Sequence, residues 1–232
     1  GQTEEAIEFY RRNIAANPQH VESLTGLADI CFRRRQLEEC EALSRRALAV
    51  ASEDPVALLC MGRVLRDRGG DEQAALDYFR RAARANPEDH DNHFDLALML
   101  LNHLPRRTKE EAAEAEASLK RACSIGDDGL RACAFFLLGV FLLCRRTADR
   151  AQRGTRLMES GVAHMIKSDN HVEMFNMANH ATLMACGSET SSIEDLRGVD
   201  ARVLAQIEKL LKGAVKRDDD PDYRSNLIMI LN

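Results

Sequence analysis

The sequence predicts an all-α fold of stacked helix hairpins, and three observations predict it. Ala, Leu, Glu and Arg, all good helix formers, dominate the 232 residues, while Gly (13) and Pro (5) are few and aromatics reach only 5%. A string with a small residue, an aromatic four positions on and a terminating proline occurs twice, 69 residues apart, with a weaker copy between. A second pattern, large, apolar, small, large, occupies the segments between these strings four times.

The strings are the second helices of the hairpins. Residues 5–18, EAIEFYRRNIAANP, carry Ala6, Tyr10 and Pro18, and residues 73–87, QAALDYFRRAARANP, carry Ala75, Phe79, Ala82 and Pro87. The copy between them has Cys40, Ser44, Ala47 and Ser52. First helices align on Leu24, Leu27, Ala28 and Cys31, on Leu58, Met61, Gly62 and Leu65, on His93, Leu96, Ala97 and Leu100, and on Phe135, Leu138, Gly139 and Leu142. The physical reason is steric: small residues stand where two helices cross closely, and large ones fill the space beside the crossing.

This order resembles the signature W-x2-L-G-x2-Y, followed by A-x3-F and P, of the tetratricopeptide repeat (TPR) family. The resemblance is good over residues 3–105 and extends to about 143. It implies a right-handed α-α superhelix, a TPR-like solenoid of about five to six antiparallel helix hairpins. Repeats are expected over 1–146, as a half repeat at 3–18, hairpins near 21–52, 55–87 and 90–125, and a further first helix at 128–144. The third hairpin has a lengthened turn at 102–108, and its second helix keeps Ala115, Leu119 and Ala122. The next second helix, 148–166, offers two registers, Ala151, Thr155 and Met158 or Gly154, Met158 and Gly161. Residues 147–232 are expected to continue the stack as degenerate repeats, with helices at 172–186 and 201–215 around a polar stretch, 187–200. Since the chain opens in a second helix without its partner and closes on the apolar SNLIMILN, a segment of a longer protein is expected.

Composition excludes several function classes. A net charge of -5 and a pI near 5.9 oppose a dedicated nucleic-acid binder, which needs positive excess to neutralise phosphates. Seven cysteines without a C-x-x-C pair fit neither a disulfide framework nor a zinc module, and point to a reducing, intracellular, cytoplasmic setting. The most apolar run, residues 132–143, is too short for the ~20 residues of a membrane span and reads as a buried helix. No glycine-rich phosphate loop, nucleophile elbow or H-E-x-x-H occurs, so neither catalysis nor a cofactor is expected.

The family resemblance implies that first helices line a concave groove, which makes the residues one step round from the packing positions the informative ones. Two helices give a mixed set, Thr25, Asp29 and Arg33, then Leu59, Arg63 and Arg66. The next two give an apolar set, Phe94, Leu98 and Leu101, then Phe136, Val140 and Leu143. Either the apolar set, with Arg63 and Arg66, is a groove for a partner's helix, or the chain's own later helices cover it. The carboxylate clamp with which some family members grip chaperone C-terminal tails is replaced here by Thr25, Asp29, Cys60, Asp91 and Asp95. Three carboxylates would repel such a tail, so chaperone docking is disfavoured.

Arg33, Arg34 and Arg35 form a basic turn, echoed by Arg63, Arg66 and Arg68 one hairpin later. They are a ridge for an acidic segment or a phosphate, or else a solvated turn paired with Glu38, Glu39 and Asp67. His90 and His93 with Asp91 and Asp95 offer two helical ligands and no closing pair, which does not make a metal site. Ser191 and Ser192 before Glu194 and Asp195 suit a helix cap ahead of Leu196 better than a phosphorylation site. The function this predicts is a scaffold or adaptor that holds a protein or peptide partner. The alternatives are the repeat arm of a larger enzyme, such as a glycosyltransferase, and an RNA-binding helical arm, which the acidic pI opposes. Homo-oligomerisation is left open.

Overall fold

The computed structural model describes residues 1–101, 108–126, 128–144, 148–168, 171–186, 199–218 and 220–231. Among the described residues there are twelve helices and no strand. They are α1 (Gln2–Ala16), α2 (Val21–Arg33), α3 (Leu37–Val50), α4 (Pro55–Asp67), α5 (Glu72–Ala85), α6 (His90–Leu101), α7 (Lys109–Ser124), α8 (Asp128–Cys144), α9 (Ala148–Ser168), α10 (His171–Cys186), α11 (Ala201–Arg217) and α12 (Pro221–Leu231). Local chemistry sets the starts. The Asp54 carboxylate accepts from the Ala57 N–H ahead of Pro55, Asp71 accepts from Gln73 and Ala74, and Asp200 accepts from Arg202. Thr108 and Glu111 form a reciprocal capping box at α7. The expected cap at Ser192 lies outside the described residues.

The chain forms two compact units, Gly1–Leu96 and Ala97–Asn232. In the first, α2 with α3 and α4 with α5 pair as hairpins, and the repeat makes the same turn twice. Arg35 and Gly69, 34 positions apart, both take the left-handed backbone, with φ of 61° and 62°. Glycine adopts this without strain, whereas Arg35 carries a Cβ against it. The expected packing positions fill the interior: Leu24, Ala28, Cys40, Ser44, Ala47, Leu58, Ala75, Phe79 and Ala82 have no exposed surface. A Cβ on Gly62 would stand 2.7 Å from the Phe79 ring, so the small residue makes room for the large one, as the pattern requires.

In the second unit the closest packing is between α8 and α9. A Cβ on Gly139 would meet the Gly154 carbonyl oxygen and the Met158 nitrogen, each at 2.6 Å, and one on Gly161 would meet the Ala132 carbonyl oxygen at 2.5 Å. Of the two registers open for α9, the chain uses Gly154, Met158 and Gly161. The small residues bring two backbones into contact, and that contact fixes the rotation of α8. It also corrects the pattern expected there. Leu138, Gly139 and Leu142 pack as expected, the last two at the α9 contact, but Phe136 and Leu143, placed one step round, lie there too, while Phe135, placed in a packing position, is only half-buried. Met158 and Met165 complete the interior, with the Cys133 sulfur 3.8 Å from that of Met165.

Gly139→Ala and Gly161→Ala each force a Cβ into a facing backbone that has no rotamer to yield. Each should destabilise by ~1–3 kcal/mol despite the better helix propensity of alanine. Thermal melts followed by circular dichroism check this, and an unchanged Tm for both would show that α8 and α9 do not meet through these glycines.

Candidate functional site

Three successive first helices of the first unit bring their polar residues together. Arg63 of α4 donates to Asp95 of α6 at 2.6 Å through Nε and to Asp91 at 3.0 Å through Nη2, and its Nη1 lies 3.7 Å from Asp29 of α2. Arg66 also pairs with Asp95, and its Nε donates to Asp67 at 3.2 Å. The two guanidiniums sit against aromatic faces, Arg63 over Phe32 and Arg66 over Phe79, at 5.6 and 5.7 Å. Asp95 is 6% exposed and Arg63 13%, whereas Asp29 and Asp91 reach solvent at 27% and 40%. The network therefore has a buried centre and an open rim.

Electrostatics follow from that geometry. Burial opposes the charge on Asp95, and the attraction of Arg63 and Arg66 outweighs it, holding its carboxyl below the usual range. Asp91 is lowered too, by its hydrogen bond with His90 and, against desolvation, by Arg63. Both guanidiniums stay charged: burial works against them, and the carboxylates around them prevail.

The remaining predicted site residues fall into two groups. Leu98, Leu101, Phe136, Val140 and Leu143 are all nearly fully covered by the chain itself, at 6% exposure or less, and so present no open surface. Phe94 is half-buried and stacks on His90 with ring centroids 5.3 Å apart. The basic turn is tied down residue by residue: Arg33 donates to Asp29 at 2.9 Å, Arg34 pairs with Glu4, and Arg35 pairs with Asp67. Arg68 repeats the Arg34 pairing one repeat on, with Glu38 at 3.3 Å and with Glu41. On the outer side, Arg46 donates to the Pro18 carbonyl and Arg81 to that of Ser52, so equivalent arginines clasp the turn of the preceding repeat.

His93 Nε2 donates to the Pro87 carbonyl at 3.0 Å, and among the described residues no three His, Cys, Asp or Glu side chains are grouped to hold a metal. Burial pushes the Cys31 thiol up to about 11 and the Cys123 thiol to about 12, which keeps both protonated and unreactive at neutral pH. Among the described residues no helix is long and apolar enough to cross a membrane. The sequence pattern marks Asp29, Asp91 and Asp95 as a deterrent to carboxylates but does not join them to Arg63, and it does not single out Phe32. The available signal was spacing, since Asp29, Asp91 and Asp95 lie 34, 28 and 32 positions from Arg63, each about one repeat.

No family model and no curated protein matches the chain. Solved structures do. YrrB, described as a TPR protein with an unusual peptide-binding site, superposes with a TM-score of 0.55 at 17% identity, over 94% of this chain and 96% of its own. MamA gives 0.53 at 18% identity over 72% and 91%. A chain of the APC/C hetero-tetramer Cut9–Hcn1 gives 0.67 at 12% identity over 100% of this chain and 40% of its own. The fold is accordingly a helix-hairpin solenoid of the tetratricopeptide type.

Removing Asp95 leaves two buried cations with only rim partners. Asp95→Asn should destabilise by about 3 kcal/mol, the lower end for a broken buried pair because Asp91 and Asp67 remain. A carboxyl held below its unfolded-state pKa of about 3.9 contributes stability that is complete above that value and is lost as pH falls through the folded one. Acid melts of the native chain should therefore lose stability only below about pH 4, and Asp95→Asn should flatten that loss. An equally steep acid transition in the variant would place the stabilising carboxylates elsewhere.

Proposed function

We propose that the chain is a protein-interaction scaffold, and that the inner face of its first unit, formed by α2, α4 and α6, receives a peptide or helical segment of a partner. One observation carries this reading. Asp29, Arg63 and Asp91, with the half-buried Phe32 and Phe94, form a partly open surface that is both polar and aromatic. The apolar residues that would otherwise compete for the role, from Leu98 to Leu143, are inside the protein. Such a mixed surface suits peptide recognition, where apolar area supplies affinity and fixed polar groups supply register. The fold supports the same direction, since YrrB, with which it is shared, is described as having a peptide-binding site. Phe94, Arg63 and Arg66 stay in the proposed surface, Arg34 and Arg35 serve as inter-repeat ties at its edge, and Arg33 pairs within α2.

Site-specific photo-crosslinking tests this. A benzoylphenylalanine placed at Phe94 should trap a partner from lysate, and the same group at Phe9, which is 57% exposed on α1, should not. Crosslinks from position 9 alone would move the binding surface to the outer helices and end the reading.

A further inference from the structure

Charge divides unevenly between the two units. Residues 1–96 hold thirteen arginines, no lysine and eighteen carboxylates, which is the chain's entire formal -5, whereas residues 97–232 balance at nineteen of each sign. A partner approaching the first unit thus meets a negative field, and fields of this kind steer association and select among partners.

The inner face has the same sign where it is open. Asp95 is closed off between Arg63 and Arg66 at 6% exposure, whereas Asp29 and Asp91 reach solvent at 27% and 40%. A carboxylate offers about four lone-pair positions. Asp91 accepts one N–H from Arg63 at 3.0 Å and lies 3.4 Å from His90 Nδ1, while Asp29 accepts from Arg33 at 2.9 Å and stands 3.7 Å from Arg63. Arg33 is itself 71% exposed, so it holds Asp29 only loosely. Two solvent-reaching carboxylates with spare acceptor capacity therefore flank a buried guanidinium that lies over Phe32, and Phe94, stacked on His90, stands three residues after Asp91 on α6.

We infer that this surface takes a basic partner segment, in which arginine or lysine side chains bond Asp29 and Asp91 while neighbouring apolar residues cover Phe32 and Phe94. The inference rests on the scaffold reading and adds the chemistry of the partner. An acidic or carboxylate-terminated segment meets repulsion at the same two positions, since Arg63 is already satisfied.

The test uses three synthetic peptides of equal length, with leucine alternating with arginine, serine or glutamate, and fluorescence anisotropy against the whole chain. The arginine peptide should bind at least about tenfold tighter than the serine peptide, the glutamate peptide should not bind, and the preference should fall on going from about 50 to about 300 mM salt. Asp29→Asn with Asp91→Asn should erase the preference for the arginine peptide over the serine peptide. If that pair unfolds the chain, Asp29→Asn alone, which keeps the Arg63–Asp95 bond, should reduce it. Equal affinity for the arginine and serine peptides, or a preference that survives the substitutions, overturns the inference. Serine-peptide binding that is lost in Phe94→Ala would, without such a preference, leave the scaffold reading standing, whereas failure of all three peptides to bind would end both.

Discussion

Arg63 and Arg66 are buried cations in a small helical unit, and their placement constrains everything around them. A guanidinium taken out of water is tolerated only if carboxylates meet it with good geometry, which here means Asp95 and Asp91 on the next first helix. The pairing locks the rotation of α4 and α6 about their axes, because a helix turned by one residue would carry its charges about 100° away. Apolar packing of Leu58, Phe79 and their neighbours supplies most of the stability, but it tolerates small slips that an ion network does not. The arginine and aspartate side chains are thus held in place by their own charges.

Much of the fold was legible because the repeat is a steric code. Leu24, Ala28, Gly62 and Phe79 occupy the predicted interior since a small residue opposite a large one has one good arrangement across a helix crossing. The code was incomplete on α8: Leu138, Gly139 and Leu142 pack as it requires, but a run of apolar residues on every side left no polar face to show that Phe136 and Leu143 are covered as well. There the deciding residues were on the partner helix: Gly154 and Gly161 select which side of α8 can approach, and no reading of α8 alone contains that.

The candidate site was legible in its members and not in its pairings. Arg63, Arg66, Asp29, Asp91 and Asp95 could all be picked out from the first-helix positions, yet whether a charge on a repeat faces solvent or a neighbour depends on the distance between adjacent repeats, which sequence spacing only suggests. For Arg33, Arg34 and Arg35 the ion-paired alternative describes what the turn does: Arg35 meets Asp67, as the charge pattern allowed, while Arg33 and Arg34 found Asp29 and Glu4.

The Glu4–Arg34 and Glu38–Arg68 pairs recur at an interval of 34 residues, and each joins one repeat only to its immediate neighbour. A chain coupled in this way deforms like a row of springs and not like a solid block, because strain at one link is not passed to links beyond the next. The ties are also at the surface, where dissolved ions compete for both partners. Rising ionic strength therefore acts on the links between repeats first and on the buried interior last.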